Sequence, residues 1–408
     1  MPEEKLLIAE RFKVLRRMRA AYRKAPRGKK SQILDYLEEQ TELDRKTIIR
    51  RLNGSCERKP RRRQRGRTYG PKVDDALRVI SETLNYICPR RLTPNLSWIA
   101  EHLQQHGELI LTPELEGQLS RISTSTVRRI LERVYQDTPR LRRSSPQTAH
   151  ARSQIPISII PWEERHPGRW EVDLVHHSGP SSSGEYIHTL VMVDVATGWC
   201  ECAALLGRSY RGMEDAFHRC LQRSPIPIDE VHTDNGSEFF SAHLLRFWKE
   251  RAHTPHLSRG RPYHSNDNRF VEQRNGALVR AWIGHERLDT TAQTIALNQI
   301  YEQLWFYFNL FQPIMRQIGK IREGQRTIRF HDTARTPSER LVETGTITVR
   351  QAQLLEALRS TVNPRQLRQV LQTQIIEIFR LPLATEGQTE SIFPTLLDDY
   401  TKRRWASE

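Results

Sequence analysis

Three acidic residues lie in sequence contexts suited to phosphoryl-transfer chemistry. Asp173 lies in Trp-Glu-Val-Asp-Leu-Val, Asp234 in His-Thr-Asp-Asn-Gly-Ser-Glu-Phe, and Glu272 in Phe-Val-Glu-Gln-Arg-Asn. Asp173 and Asp234 are 61 positions apart, and 37 residues separate Asp234 from Glu272. The local patterns predict that these acids lie in a strand, at a strand end and on a helix face, respectively.

Phosphodiester transfer requires an attacking oxygen aligned with the leaving oxygen and neutralisation of the charge around phosphorus. Two divalent ions about 3.5 to 4 Å apart meet both requirements. Hard ions such as Mg²⁺ take oxygen ligands, so carboxylates converging from different elements are the minimum protein contribution. The three acids therefore indicate metal-dependent phosphoryl transfer without a lysine or histidine base.

The residues around Asp173 predict a strand because they are mainly apolar. A carboxylate in such a strand is costly to bury unless it is paired or bound to a metal. Glu171 lies two positions earlier and therefore on the same strand face. The sequence leaves open whether Glu171 assists Asp173 or lies at the solvated end of the strand.

Different elements position the other two acids. Asp234 follows a strand predicted over 228–232, and Asn235-Gly236 is a turn signal that would project it from the sheet edge. Glu272 lies in a helix predicted to begin near residue 266 or 267. Two polar residues share its helix face, Asn268 and Asn275.

A strand-rich pattern surrounds Asp173. Residues 170–175, 186–195 and 199–206 are successive β-type runs, and a helix predicted over 210–223 precedes the strand 228–232. Three meandering strands followed by a helix and another strand are the order found in RNase H-like domains.

The charge of the chain is concentrated at one end. Of the net +16 in 408 residues, +15 falls in residues 1–150, which hold 33 Lys and Arg against 18 Asp and Glu. Such charge could bind nucleic acid or an anionic membrane, or merely keep the protein soluble; adjacent helix-turn-helix patterns favour nucleic acid. No apolar run approaches the ~18 residues of a membrane span, and the start lacks a signal-peptide segment. We expect a cytoplasmic protein acting on nucleoid DNA.

The five cysteines do not form a metal site by their spacing. The sequence contains no C-x-x-C motif that could pair with an H-x-x-H motif as in a structural zinc site. Cys200 and Cys202 fall in a strand-like run and are predicted to be small buried residues.

Residues 28–54 predict a helix-turn-helix. Apolar residues recur at helical spacing over 29–39, and Asp44 is a suitable N-cap for a second helix that ends near Asn53. An ordinary helical hairpin with a solvated basic face is the alternative. If the second helix enters a major groove, the candidate DNA-binding residues are Arg45, Lys46, Thr47, Arg50 and Arg51.

Two further basic segments follow. An arginine-rich arm could lie in a minor groove or contact phosphates, and it comprises Arg61, Arg62, Arg63, Arg65 and Arg67. A second helical unit over 72–135 ends in a predicted recognition helix that Ser123 or Thr124 would cap. Its candidate DNA-binding residues are Ser125, Thr126, Arg128 and Arg129.

Beyond the acids, several motifs resemble the D-D-E integrase-core transposases of bacterial insertion sequences. They are Gly184-Glu-Tyr-Ile-His-Thr-Leu, Asp194-Val-Ala-Thr-Gly-Trp, Thr233-Asp-Asn-Gly-Ser-Glu-Phe, Arg261-Pro-Tyr-His-Ser-Asn-Asp-Asn and Phe270-Val-Glu-Gln-Arg-Asn. The resemblance implies that Asp173, Asp234 and Glu272 are the catalytic metal ligands. It also implies Mg²⁺ as cofactor, with Mn²⁺ as substitute, cleavage at transposon ends, and attack of the 3′-hydroxyl on target DNA.

The expected fold class is an α/β RNase H-like catalytic core, with a mixed five-stranded sheet flanked by helices, preceded by all-α helix-turn-helix DNA-binding domains. The C-terminal region could contact DNA, mediate oligomerisation or pack on the core. The predicted segments are a helix-turn-helix domain at 1–58, the arm at 59–71, a second helix-turn-helix or winged-helix-like domain at 72–135, a linker at 136–164, the core at 165–315 and the C-terminal region at 316–408.

The sequence therefore predicts a DNA transposase that binds terminal inverted repeats, cleaves the ends and joins them to target DNA. Its partners are double-stranded DNA of the transposon ends and of the target. Because both ends must be held together, we expect a homodimer or higher oligomer on DNA. Two alternatives remain, a domesticated transposase that acts as a DNA-binding regulator and an RNase H-like nuclease that cuts without joining.

Overall fold

The structure is a computed structural model that describes residues 8–57, 68–134, 164, 166–233, 239, 242–250, 255–259, 268–323, 326–385 and 387–398. The chain divides into two compact units, Met1–Thr68 and Tyr69–Glu408.

In the first unit, residues 8–57 and 68 are described, and they form three helices, α1 (Ile8–Lys24), α2 (Arg27–Thr41) and α3 (Arg45–Asn53). Short helices are marginal in isolation, so their apolar faces must pack together. Leu15 of α1, Leu37 of α2 and Ile48 of α3 are fully buried in one cluster. Asp44 caps α3 by accepting a hydrogen bond from the Thr47 backbone N–H at 3.0 Å, which confirms the predicted cap.

The second unit begins with five helices. They are α4 (Pro71–Thr83), α5 (Pro89–Leu92), α6 (Leu96–Gln105), α7 (Pro113–Arg121) and α8 (Thr124–Leu131), with a 3₁₀ turn at Thr93–Asn95. The apolar residues of α4 that recur at helical spacing, Val73, Leu77 and Ile80, are fully buried. Ser123 caps α8 by accepting from the Thr126 backbone N–H at 3.3 Å, which confirms one of the two predicted caps.

A five-stranded sheet forms the centre of the second unit. Its strands are β1 (Arg169–His176), β2 (Ile187–Asp194), β3 (Cys200–Leu206), β4 (Glu230–Thr233) and β5 (His256–Arg259). The spatial order is β3-β2-β1-β4-β5; β1 is antiparallel to β2 and parallel to β4. The predicted mixed five-stranded, RNase H-like sheet is therefore confirmed.

Helices cover both faces of this sheet. On one face lie α9 (Tyr210–Arg223), at its predicted position, and α10 (Ala242–Lys249). The other face packs against α11 (Arg269–Arg274), which continues as a π-helix over Asn275–Arg280, and against α12 (Thr291–Phe306), which continues as a π-helix over Tyr307–Phe311. Because strand side chains alternate, Glu171 and Asp173 lie on the α11 side, whereas Trp170 and Val172 lie on the α9 side.

The described part of the C-terminal region adds a hairpin of β6 (Gln317–Glu323) and β7 (Arg326–His331) and three helices. The helices are α13 (Pro337–Thr344), α14 (Val349–Thr361) and α15 (Pro364–Ile378), followed by a 3₁₀ turn at Phe393–Thr395.

Residues 69–134 are bonded to the C-terminal part of the same unit. The Tyr307 hydroxyl donates to the Thr83 carbonyl at 2.6 Å, and Arg365 pairs with Glu108 at 3.1 Å. A His102 ring nitrogen lies 2.9 Å from the Val362 carbonyl.

Cys200 and Cys202 are buried, as predicted, and burial raises the pKa of Cys200 to about 11. Among the described helices, none is long and apolar enough to span a lipid bilayer.

Candidate active site

Asp173 lies in the middle of the sheet, on the strand between β2 and β4. It is partly buried, and one carboxylate oxygen accepts from the Leu174 backbone N–H at 2.8 Å. The other oxygen accepts from the Asn275 side-chain amide at 2.6 Å. The carboxylate is thus held from two directions, by its own strand and by the helix that follows Glu272.

Glu272 lies on α11, whose first turn includes a hydrogen bond from the Glu272 N–H to the Asn268 carbonyl at 2.9 Å. The residue is exposed, yet partial desolvation of its carboxyl raises its pKa above the ordinary value. Glu272 and Asn275 are three positions apart and share a helix face. The Asn275 bond therefore connects the face that carries Glu272 to the strand that carries Asp173.

The sequence placed Asn275 on the helix face of Glu272 and gave no partner for it. Its contact with Asp173 spans 102 positions of the chain and could not be read from local spacing. Asn275 also begins the π-helical segment, a type of helix that recurs at functional sites.

Glu171 does not lie at a solvated strand end. It is fully buried, and one carboxylate oxygen accepts from the backbone N–H groups of Phe270 and Val271, at 2.7 and 2.9 Å. Burial raises the pKa of Glu171 to about 7, against the lowering effect of these two hydrogen bonds. Glu171 thus fixes the first turn of α11 to β1, and a carboxylate at this end of a helix also interacts favourably with the helix dipole.

Asp234, together with Asn235 and Gly236, lies outside the described residues. The residue before it, Thr233, ends β4 and pairs with Val172, which precedes Asp173 on the parallel strand. Within the described residues, no group of three His, Cys, Asp or Glu side chains could hold a metal. The described donors Asp173 and Glu272 are carboxylates, and this chemistry fits a hard ion such as Mg²⁺.

A buried aspartate shapes the end of β2. Asp194 accepts from the Gly168 N–H at 2.9 Å and from the Thr197 N–H and hydroxyl at 2.8 and 2.6 Å. Burial raises the pKa of Asp194 to about 6. The motif Asp194-Val-Ala-Thr-Gly-Trp is therefore a turn stabilised by its own hydrogen bonds, and it connects β2 to β3. Gly198 in this turn has a φ of +72°.

The candidate DNA-binding residues of α3 differ in their availability. Lys46 and Arg50 are exposed, whereas Arg45 pairs with Asp35 and with Glu38, the latter at 2.8 Å. The Thr47 side chain is half-buried, and the Arg51 guanidinium lies 4.8 Å from the Phe12 ring centre.

On α8, three of the four candidate residues are exposed, Ser125, Arg128 and Arg129. Thr126 accepts from the Arg129 guanidinium at 3.1 Å. The arginine-rich arm lies outside the described residues, including Arg61, Arg62, Arg63, Arg65 and Arg67.

Two comparisons with known proteins bear on this site. A family model described as integrase core domain matches residues 163–265, which contain β1 to β5 and the positions of Asp173 and Asp234. The uncharacterised protein y4rM of Sinorhizobium fredii (strain NGR234) is 35% identical over 331 residues, covering 80% of this chain and 94% of that protein. Glu272 lies beyond the segment that the family model matches.

Proposed function

Because the chain belongs to the integrase-core family of transposase-like proteins, we propose that it is a DNA transposase that binds terminal inverted repeats, cleaves the ends and joins their 3′-hydroxyls to target DNA. An integrase core implies a polynucleotidyl transferase with DNA substrates. The observation that carries the finer proposal is the Asn275 bond to Asp173, which links two of the three acids' elements.

In this proposal Asp173, Asp234 and Glu272 hold two divalent ions, with Mg²⁺ as the ordinary cofactor and Mn²⁺ as a substitute. Bound ions would align the attacking and leaving oxygens and neutralise the charge that develops around phosphorus. Thr233 pairs with Val172 on the parallel strand, and the next residues along the two strands are Asp234 and Asp173. This register supports the inclusion of Asp234.

The described side chains prepare the site for this chemistry. Asn275 fixes one Asp173 oxygen, so that carboxylate is oriented before substrate binds. Glu171 anchors the first turn of α11 and thereby sets the position of Glu272. A cation beside Glu272 would favour the charged form that desolvation disfavours.

DNA recognition is assigned to the basic N-terminal half. We assign base and phosphate contacts to exposed residues of α3 and α8 and phosphate contacts to the arm, because +15 of the net charge lies in residues 1–150. Joining two ends in a coordinated manner requires two active sites, so the protein acts as a homodimer or higher oligomer on DNA.

The test uses labelled DNA from the flanks of the gene, a target plasmid and Mg²⁺. Asp173→Asn, Asp234→Asn and Glu272→Gln should each keep binding to the labelled DNA while losing cleavage. Glu286→Gln, which changes an exposed glutamate of the same unit, should retain both activities.

The products separate three functions. Labelled DNA joined to plasmid supports a transposase, whereas cut but unjoined DNA supports a nuclease. Binding without cleavage by the wild-type protein supports a DNA-binding regulator. Cleavage retained by all three acid variants would show that the acids are not the catalytic groups.

A further inference from the structure

A cavity of about 600 Å³ lies beside α11 and has no role in the chemistry proposed above. Arg269, Gln273 and Ala277 line it at intervals of four residues, so they form one stripe of this helical segment. Glu272 and Asn275 are not among its lining residues. The segment thus presents one face to Asp173 and another to the cavity.

The cavity is strongly basic. Arg91, Arg269, Arg274 and Arg316 line it, and no acidic side chain does so among the described lining residues. We call it the arginine pocket. These arginines come from three separate segments of the sequence, since Arg269 and Arg274 both lie on α11, and no local motif therefore indicates the pocket.

Backbone carbonyls position three of these guanidiniums. Arg91 donates to the Pro313 carbonyl at 2.6 Å, and Arg274 donates to the Gly198 carbonyl at 3.3 Å. Arg316 donates to the Glu164 carbonyl at 3.0 Å. A carbonyl orients a guanidinium without cancelling its charge, so these bonds leave positive charge directed at the pocket.

The electrostatics differ within the set. Burial and the neighbouring Arg274 charge lower the pKa of Arg91 to about 10, so Arg91 stays cationic at neutral pH. Arg316 lies near the carboxylates of Asp194 and Asp332, which offset part of its charge. Arg91 and Arg274 are therefore the pair whose mutual repulsion an anion would relieve.

The remaining wall is aromatic and apolar. Phe270, Trp282, Phe308 and Ile314 line the pocket, and Phe270 is half-buried. The guanidinium carbons of Arg269 and Arg316 lie 4.8 and 6.0 Å from the Phe270 ring centre. A pocket of this size is in the range of about 300 to 1,000 Å³ that small-molecule ligands occupy. A ligand with an anionic end and a flat, weakly polar end matches these two walls.

We propose that the arginine pocket binds a phosphate-bearing nucleotide, with the phosphate between Arg91 and Arg274 and the base against the Phe270 wall. The nucleotide is either free or part of a DNA strand. The idea that the nucleotide is part of a DNA strand rests on the proposed function. The match between the pocket and a phosphate-bearing nucleotide does not rest on it.

The test measures binding by calorimetry to the full-length chain without divalent metal. The probes are inorganic phosphate, deoxyadenosine monophosphate, a 5′-phosphorylated single-stranded oligonucleotide and a glutamate-rich peptide. Deoxyadenosine monophosphate should bind more tightly than phosphate, because it also contacts the apolar wall. Arg274→Gln should weaken nucleotide binding by about tenfold or more, since a charge-assisted hydrogen bond is lost.

A second variant fills the pocket without removing charge. Ala277 is exposed and lines the pocket, so Ala277→Trp should abolish nucleotide binding while the protein stays folded. Matched controls change exposed residues of α14, Ala357→Trp and Arg350→Gln, and should bind like the wild type. Thermal melting of each variant confirms that it is folded.

Tighter binding of the oligonucleotide than of the mononucleotide, lost in both pocket variants, assigns the ligand to a DNA strand. Equal binding assigns it to a free nucleotide. No binding of any phosphate probe, unchanged binding in both pocket variants, or preference for the peptide overturns the proposal. Asp173→Asn should bind nucleotide normally while failing to cleave, so failure of the pocket and failure of the transposase assignment are distinguishable.

Discussion

Glu171 should control the position of α11 through two hydrogen bonds. In Glu171→Ala the backbone N–H groups of Phe270 and Val271 lose their buried acceptor. Each buried donor left unsatisfied costs about 1 to 3 kcal/mol, so the first turn should lose roughly 2 to 6 kcal/mol of local stability. Even the lower figure corresponds to about a 30-fold rise in the population of the opened turn.

Amide hydrogen exchange measures this change directly. The Phe270 and Val271 amides should exchange at least about 30-fold faster in Glu171→Ala, if exchange follows the local opening equilibrium. Metal-dependent cleavage should fall by about tenfold or more, because a displacement of about 1 Å can cost 100-fold in rate. Binding to terminal-repeat DNA should be unchanged, since the proposal assigns these contacts to α3, α8 and the arginine-rich arm and not to α11.

Glu171→Gln provides the conservative comparison. It retains one acceptor oxygen and should show a smaller rise in exchange at the same two amides. Glu286→Gln should change neither exchange nor cleavage. Phe270 and Val271 exchange rates in Glu171→Ala that equal those of the wild type would show that Glu171 does not hold the first turn of α11.

Gly198→Ala should destabilise the fold more than Gly284→Ala. Both residues have positive φ, which costs an alanine about 1 to 2 kcal/mol, but only at Gly198 would the new Cβ meet the Ile314 side chain. Equal losses of unfolding free energy in urea denaturation would contradict this prediction. Burial raises the pKa of Asp194 from its ordinary 3.8 to about 6, so the folded state holds this proton more tightly than the unfolded chain does. Ionisation of Asp194 should therefore lower the free energy of unfolding by about 3 kcal/mol as the pH rises from 3.8 through about 6. The free energy of unfolding of Asp194→Asn, relative to wild type, should therefore increase between about pH 4 and pH 7, and a pH-independent difference would argue against it. Arg50→Ala should weaken DNA binding, and if Arg50 contacts a phosphate it should reduce the slope of log binding constant against log salt concentration by about one unit. Arg45→Ala should mainly disturb the pairs with Asp35 and Glu38. Equal salt slopes for both variants and the wild type would show that α3 is not part of the DNA interface.

The sequence predictions that the structure confirms depend on residues close together in the chain. Asp44 and Ser123 are side chains that satisfy free N–H groups at helix starts, and this chemistry depends on neighbours within three residues. The alternation of β1 placed Glu171 and Asp173 on one face for the same reason. The order of four predicted strands and one helix indicated an RNase H-like sheet, whereas the fifth strand, β5, was expected only from the family resemblance.

The features that the sequence did not reveal depend on distant contacts. Whether Glu171 was solvated or buried depended on α11, which lies about 100 positions away. The same is true of the Asn275 contact with Asp173 and of the arginine pocket, whose walls come from separate segments. Residue type and spacing cannot report which surfaces meet when the separation in sequence is this large.

Burial differs between Glu171 and Asp173, the two acidic side chains on one face of β1, and this difference accounts for the different roles proposed for them. A metal ligand in a strand-transfer site must remain open to hydrated ions and to DNA. Glu171 is fully buried, and one of its oxygens holds the first turn of α11, so a hydrated ion does not reach its carboxylate from solvent in this conformation. Asp173 is only partly buried, and Glu272 is exposed on the helix that Glu171 anchors. In the proposed mechanism β1 therefore carries a supporting carboxylate, Glu171, two positions before a metal-binding carboxylate, Asp173.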